Sequence, residues 1–189
     1  MSRAFVLALL AVALFLPVAA WSQLNPSENY RDLGRFEVYA GYSRMTGSVG
    51  LNGWEASAAY KPRLAPWFGV LADVSGHYGT EDIASIKVKS HTYNFLAGPE
   101  VYFTRLRNQK LIPFGHLMFG ASTENTDIAG VAFPGVQDTA FTWALGGGVD
   151  YRFSNHLYGR AKLDLLRTHF LSEGDSRGRF GFGIAYRFH

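Results

Sequence analysis

Cysteine is absent from the 189 residues, so no disulfide can stabilise this chain. An excess of one charge sign is also lacking, because 18 lysines and arginines are nearly balanced by 15 aspartates and glutamates. The formal net charge of +3 is too weak to indicate a nucleic-acid partner. Beyond the N-terminal region there is no run of about 18 apolar residues, which excludes a transmembrane helix there. Solenoid repeats and low-complexity linkers are absent too, and the length fits one domain.

The N-terminal residues have the features of a secretory signal peptide. Arg3 supplies the positive charge, and an apolar run of about 13 residues follows, which is too short to span a bilayer. Cleavage fits after Ala20 or after Ser22. We favour Ser22, which makes residues 1–22 the signal peptide, although an uncleaved anchor is the alternative.

The remaining chain alternates between apolar and polar residues. Residues 23–34 show no alternation and are interpreted as a short periplasmic lead, whereas residues 35–189 alternate with a period of two, which is typical of strands with two different faces. The alternation occurs in eight runs, at about 35–44, 52–61, 67–78, 90–103, 111–122, 139–153, 156–170 and 177–188. Within the fourth run, Pro99 removes one backbone donor and predicts a local bulge or kink.

The two faces of these runs predict an all-β fold, an eight-stranded antiparallel transmembrane up-and-down β-barrel. One face is rich in aromatic residues, and the other carries charged residues and glycines, as in membrane barrels with an apolar outside and a polar inside. A sheet in lipid must close on itself, because unpaired backbone groups cost several kcal/mol each in hydrocarbon. Eight strands leave an interior only wide enough to be filled by side chains.

The predicted interior face carries nearly equal numbers of acids and bases. Because buried charges must be paired, we expect an internal salt-bridge network that plugs the barrel. Its predicted members are Glu37, Glu55, Lys61, Asp73, Glu100, Asp150, Arg152, Arg160, Lys162, Asp164, Arg179 and Arg187. Small residues would pack opposite these long side chains, and the run Gly146–Gly148 indicates either such close packing or a kink that bends the barrel.

Residues 35–189 also resemble the small eight-stranded outer-membrane barrels related to the OmpA transmembrane domain. The segments that carry the resemblance are Phe36–Tyr42, Asn52–Ser57, Trp67–Gly79, Ala97–Glu100, Pro113–His116, Ala144–Asp150 and Tyr186–Phe188. The resemblance implies a fold and no particular activity. Phe182, Ile184, Tyr186 and Phe188 correspond to the C-terminal assembly signal, and His189 is a departure, since the family usually ends on Phe.

Connections of unequal length indicate how the barrel is oriented. The segments 62–66, 104–110 and 154–155 are short turns, 45–51 is of intermediate length, and 79–89, 123–138 and 171–176 are longer. Outer-membrane barrels place short turns in the periplasm and long loops outside. We therefore expect a monomer in the bacterial outer membrane with both termini periplasmic. Its expected partners are outer-membrane lipid, lipopolysaccharide and the barrel-assembly machinery, and no cofactor is expected.

Three other functions or folds remain open at this point. A narrow porin-like channel is the first, and a soluble lipocalin-like barrel with reversed faces is another. A lipid A hydrolase would need a histidine and a serine on one strand face, but His169 and Ser172 are three positions apart and point to opposite faces of a regular strand. The six histidines form no cluster with metal-ligand spacing, and we expect only His116 to lie in the interior.

Overall fold

The computed structural model describes residues 33–47, 50–83, 86–103, 110–128, 136–170 and 173–188. They contain the strands β1 Phe36–Met45, β2 Leu51–Tyr60, β3 Phe68–Ile83, β4 Ile86–Tyr102, β5 Leu111–Ile128, β6 Val136–Arg152, β7 Leu157–Phe170 and β8 Glu173–Phe188. No helix in this part of the chain is long and apolar enough to cross a membrane. The predicted signal peptide and most of the predicted lead lie outside the described residues.

The eight strands close into a barrel in chain order, each antiparallel to its neighbours. Closure is made by β1, whose Phe36 lies opposite Tyr60 of β2 and opposite Phe188 of β8. A path along paired residues that starts at Val101 of β4 and goes once around the barrel returns to β4 at His91, which is a displacement of 10 residues (101 − 91 = 10). The path passes through Gly115, Gly147, Leu163, Phe180, Arg44, Asn52 and Tyr78. This stagger tilts eight strands by about 40° and leaves an interior that side chains fill. The predicted eight-stranded antiparallel barrel is confirmed.

The two ends of the barrel differ in how the strands are joined. The terminal rim, where β1 begins and β8 ends, carries the connections 61–67, 103–110 and 153–156. The opposite end, here the hairpin rim, carries the connections between β1 and β2, β3 and β4, β5 and β6, and β7 and β8. Both ends of the barrel domain therefore lie on one rim, as the even number of strands predicts.

The strands extend further towards the hairpin rim than the sequence pattern predicted. β3 pairs with β4 as far as Ile83 opposite Ile86, and β7 pairs with β8 as far as Phe170 opposite Glu173. The expected connections 79–89, 123–138 and 171–176 are therefore mostly strand, and their predicted lengths are wrong. Two paired strands satisfy each other's backbone hydrogen bonds even where polar residues on both faces remove the alternation.

Pro99 introduces no bulge. Ala97 lies opposite Phe119 and Glu100 lies opposite His116, so the same number of residues separates these two pairs on both strands. Of the predicted bulge or kink, the bulge is wrong, because β4 and β5 keep their register across the missing proline donor, although Gly98 and Pro99 form no residue pair with β5.

The faces of the strands are apolar outside and polar inside. Leu163 is 65% exposed and Ile184 is 47% exposed, whereas Arg187 and Glu100 are 0% exposed. The same alternation runs through all eight strands, since side chains in a strand point alternately to its two faces. The apolar outer face therefore contrasts with an interior that encloses most of the charged residues of the strands, together with buried rings such as Tyr102 and Phe114.

Candidate functional site in the barrel interior

Eleven of the twelve predicted network residues are buried in the interior, each 5% exposed or less. They are Glu37, Glu55, Lys61, Asp73, Glu100, Asp150, Arg160, Lys162, Asp164, Arg179 and Arg187. Arg152 is the exception: it lies half-buried at the terminal rim, where its guanidinium donates to Asn155 Oδ1 at 2.6 Å. Arg152 lies two positions after Asp150 and therefore on the interior face of β6, but β6 ends at Arg152, so its side chain reaches the rim.

The lower ion-pair cluster lies near the terminal rim and combines three acids with three bases. Glu37 is its centre: its carboxylate is 2.9 Å from Lys61 Nζ and 2.6 Å from both Arg160 Nη2 and Arg187 Nε. Asp150 accepts from Arg160 Nε at 2.7 Å and pairs with Arg187. The remaining acid, Glu100, lies 3.9 Å from Arg160 Nη1 and accepts from the Tyr102 hydroxyl at 2.6 Å. The formal charges of this cluster therefore cancel.

Aromatic rings cover the cations of the lower cluster. The Arg160 guanidinium carbon lies 4.3 Å from the centre of the Phe114 ring, and that of Arg187 lies 4.0 Å from the centre of the Tyr158 ring. The rings complete the desolvation of the cations while still attracting them electrostatically.

Leu33, the first described residue, lies against the lower cluster. Its side chain is 2% exposed and belongs to an apolar group with Tyr102, Ile112 and Tyr158. Its carbonyl accepts from Lys61 Nζ at 3.3 Å. The residue that precedes β1 therefore packs into the terminal rim of the barrel.

The central ion-pair cluster combines the acids Glu55, Asp73 and Asp164 with the bases Lys162 and Arg179. Lys162 Nζ lies 2.7 Å from Glu55, 3.2 Å from Asp73 and 3.6 Å from Asp164. Arg179 lies 2.8 Å from Asp73, 2.6 Å from Asp164 and 3.6 Å from Glu55. These contacts join β2, β3, β7 and β8 across the interior.

Two histidines are buried in the interior, one more than expected. His116 lies in the central cluster, with Nε2 at 2.8 Å from Asp164 Oδ1, so its predicted interior position is confirmed. His77 was not predicted to be there, yet it is 0% exposed and its Nε2 lies 2.9 Å from Ser43 Oγ. The sequence does contain a signal for this position, because His77 lies four residues after Asp73 in one strand and an even spacing places both side chains on the same face.

A chain of neutral polar side chains extends from the central cluster towards the hairpin rim. Arg179 Nη1 donates to Ser75 Oγ at 3.0 Å, and Asn94 Nδ2 donates to the same oxygen at 3.1 Å. The chain continues from Asn94 to Ser122 at 2.5 Å, from Ser122 to Thr142 at 2.8 Å and from Thr142 to Thr168 at 3.0 Å. Sequence reasoning missed this chain, because its members are uncharged and scattered over five strands.

The glycine run in β6 makes room for the central cluster. A Cβ on Gly146 would overlap the Asp164 carboxylate, and a Cβ on Gly148 would lie 2.9 Å from the Phe114 ring. On β8, a Cβ on Gly181 would lie 3.3 Å from the Lys162 side chain. The interpretation of these glycines as packing partners of long interior side chains agrees with this geometry.

The described interior offers little that resembles a catalytic centre. Ser43 and His77 form a hydrogen-bonded pair, but both are 0% exposed and His77 Nδ1 has no described hydrogen-bond partner to orient it. Among the described residues, no group of three or more His, Asp or Glu is arranged to hold a metal ion. Ser172 and the side chain of His169, the residues of the hydrolase alternative, lie outside the described part of the chain.

The four residues of the predicted C-terminal assembly signal all face outward on β8. Phe182, Ile184, Tyr186 and Phe188 are between 40% and 51% exposed. They form part of an aromatic outer surface with neighbours such as Tyr42, whose ring centre lies 5.2 Å from that of Phe182. This surface is available to lipid or to an assembly partner.

The fold and the two faces together define the class of protein. A closed barrel with an apolar outer surface and a charged interior is the arrangement of outer-membrane β-barrels. Residues 8–188 match the family model described as the outer membrane protein beta-barrel domain, and the chain belongs to that family. The resemblance to small eight-stranded outer-membrane barrels is thereby confirmed.

Several solved structures have the same fold at low sequence identity. Neisserial surface protein A (NspA) is 12% identical, with a TM-score of 0.62 over 81% of this chain and 96% of that chain. Ail, the attachment invasion locus protein of Yersinia pestis, in complex with the heparin analogue sucrose octasulfate, is 16% identical, with a TM-score of 0.58 over 82% and 99% of the two chains. OprG from Pseudomonas aeruginosa is 12% identical, with a TM-score of 0.55 over 82% and 96%. No sequence among the curated proteins matches this chain.

Proposed function

We propose that this protein is a monomeric, non-conducting and non-enzymatic barrel of the bacterial outer membrane, with a structural or surface-interaction role. The observation that supports a closed interior is the pairing of its charges. Each of the eleven buried charged residues lies within 4.0 Å of an opposite charge, and the two clusters occupy successive levels of the barrel.

Ion pairs that bridge opposite walls leave no continuous water column. Asp73 of β3 contacts Lys162 of β7 on the opposite wall, and Glu100 of β4 lies 3.9 Å from Arg160 of β7, three strands away. Opening a path would separate these charges in a low-dielectric interior, which costs several kcal/mol for each charge left unpaired. The apolar contact of Leu33 at the terminal rim adds a further obstruction.

Single-channel recording tests the closed interior. The purified, folded protein in a planar bilayer should show no steady conductance. Arg179→Ala should introduce flickering openings, because it removes a side chain that reaches Asp73, Asp164 and Glu55. A stable open channel in the unmodified protein would refute the closed barrel and favour a porin-like function.

The proposed orientation places the terminal rim in the periplasm and the hairpin rim outside the cell. The start of β1, which follows the predicted export signal in the chain, and the end of β8, which carries the predicted assembly signal, lie on one rim and support it, since both signals would be handled on the periplasmic side. The extended hairpins would then project from the cell surface. That Ail, a protein of the same fold, is named for attachment and invasion supports a surface-interaction role by analogy of fold alone.

Crosslinking on intact cells tests this surface role. A photo-reactive amino acid is placed at Thr80 or Lys89, which are exposed and lie opposite each other on the β3–β4 hairpin. We expect crosslinked products at these positions and none at Arg63, an exposed control on the terminal rim. The reverse pattern would show that the orientation is wrong, and the absence of products at all three positions would contradict a surface-interaction role.

The proposal that the barrel is not an enzyme is tested on lipid A. We expect the mass spectrum of lipid A to be the same from cells with and without the protein. Loss of an acyl chain only in cells that contain the protein would support the hydrolase alternative.

A further inference from the structure

Leu33 lies in the mouth of the barrel at the terminal rim. Its side chain is 2% exposed and belongs to the same buried group as Ile112 of β5 and Tyr158 of β7, and Trp67 packs against this group. Ile112 and Tyr158 are each the second residue of a strand that begins at the terminal rim, so the group lies at that end of the interior. The Leu33 carbonyl accepts from Lys61 Nζ at 3.3 Å, which places Leu33 directly against the lower ion-pair cluster.

The conformation of Gly34 holds Leu33 in this position. In the part of the chain that the structure describes, Gly34 is the only glycine with a positive φ, at +66°. Side chains other than glycine rarely adopt this left-handed conformation. A Cβ on Gly34 would also lie 2.7 Å from the Phe188 carbonyl oxygen and 3.1 Å from Arg187 Cβ. Any other residue at position 34 would therefore have to change the turn that directs Leu33 into the mouth.

Leu33 and Gly34 lie outside the β1 ladder. The described backbone hydrogen bonds of this region begin at Arg35, whose N–H donates to the Phe188 carbonyl at 2.8 Å and whose carbonyl accepts from the Lys61 N–H at 2.8 Å. Leu33 itself is held by the burial of its side chain and by the hydrogen bond from Lys61 Nζ. Full burial of a leucine side chain favours the inserted state about 10- to 100-fold. A contact of this size at the edge of a fold opens far more often than the closed ladder of the barrel.

We propose that Leu33, held by the turn at Gly34, is a detachable stopper of the terminal mouth. Inserted, it keeps water away from the terminal side of the lower ion-pair cluster. When the stopper withdraws, water reaches that side of the cluster, while the eight strands and the central cluster stay in place. The inference rests on the proposed closed interior and deepens it, because it assigns the residue that seals one end and the turn that holds this residue.

Thiol modification tests the stopper. The chain has no cysteine, so a single introduced thiol reports the access of water at one chosen position. Ile112→Cys places the probe in the buried group, and Ser154→Cys places an exposed reference on the terminal rim. The rate of modification by a charged, water-soluble methanethiosulfonate reagent is measured on the purified, folded protein in detergent micelles. The reagent reaches both rims there, so the result does not depend on the proposed orientation.

We expect Ile112→Cys to react about 10- to 100-fold more slowly than Ser154→Cys, because the inserted Leu33 side chain excludes the reagent. Adding Leu33→Ala should remove most of this protection, because alanine is too small to fill the mouth. Adding Gly34→Ala should do the same, because the turn changes and Leu33 is withdrawn. Leu33→Met keeps the apolar volume and should preserve the protection.

Two controls distinguish withdrawal of the stopper from loosening of the whole barrel. Gly50→Ala is the matched glycine variant, because Gly50 also lies outside the strands but at the hairpin rim, where a Cβ would approach only the Arg44 side chain. It should leave the protection of Ile112→Cys unchanged. Ala144→Cys, at a position that is 0% exposed in the other buried apolar group of the interior, should stay protected in every background.

Four outcomes would overturn the proposal. They are an unprotected Ile112→Cys in the otherwise unmodified chain, full protection in both Leu33→Ala and Gly34→Ala, an equal loss of protection in Gly50→Ala, and a reactivity of Ala144→Cys that rises together with that of Ile112→Cys. A protein that conducts ions but still shows the expected dependence on Leu33 would refute only the proposed closed interior.

Discussion

Replacement of Arg179 by methionine should be among the most destabilising single changes in the barrel. Methionine keeps much of the side-chain volume, but it removes the positive charge that contacts Asp73 at 2.8 Å and Asp164 at 2.6 Å. Lys162 then remains as the only permanently charged cation described beside three buried carboxylates. Breaking a buried pair by removing one partner costs about 3–5 kcal/mol, and we expect a loss of this size in the free energy of unfolding.

The measurement is urea unfolding of the protein in lipid vesicles, followed by tryptophan fluorescence and by heat-dependent migration on gels. Arg177→Met is the control, because Arg177 lies two positions away on β8 in a pair with Glu124 whose side chains are 23% and 25% exposed. Because this pair is more exposed to water than the pairs of Arg179, Arg177→Met should cost less than Arg179→Met. Adding Asp73→Asn to Arg179→Met should recover part of the loss by restoring the charge balance. Equal losses for Arg179→Met and Arg177→Met would refute the reasoning.

Three further predictions concern the outer face, the glycines and the membrane assignment. Ile184→Arg should lower the free energy of unfolding in vesicles by about 2–4 kcal/mol, and Ser176→Arg should lower it by no more than about 1 kcal/mol, because the cost of a charge falls towards the membrane interface. Equal costs for the two variants would contradict the assigned depths of these residues. Gly146→Ala should lower the free energy of unfolding by about 1–3 kcal/mol, because the new methyl group displaces Asp164. Gly115→Ala should cost less, because a Cβ there would have no heavy atom nearer than 3.7 Å. An unchanged stability of Gly146→Ala would show that the central cluster can move aside. The mature protein should fractionate with the outer membrane and migrate faster on gels before heating than after, and recovery as soluble periplasmic protein would contradict the assignment.

The faces of the strands could be predicted because their signal is local. A period of two assigns each residue to one face of a strand, whatever its neighbours are. That is sufficient to place Glu37 and Arg187 inside and Ile184 and Phe188 outside. The same rule places His77 inside, but histidine is compatible with either face, so the residue type alone does not indicate its position.

The ends of the strands at the hairpin rim could not be predicted in the same way. Residues beyond Tyr78 in β3 have no apolar face to mark them as strand. They are held by partners on β4, such as Lys89 opposite Thr80. The effect of Pro99 was also decided by its neighbours, since the register on both sides of it fixes the local geometry.

The sequence by itself determined the class of fold, the number of strands and most of the charges that enter the barrel, because these follow from hydrophobic alternation and from the need to close a sheet in lipid. Only the tertiary structure decided which charges meet. Glu37 and Arg187 are 150 residues apart in the chain, yet their side chains lie 2.6 Å apart, because β1 and β8 close the barrel in a particular register. The division into a balanced lower cluster and a central cluster that includes His116 depends on the stagger of all eight strands. That stagger is set by packing and hydrogen bonding around the whole barrel, and no local pattern in the chain encodes it.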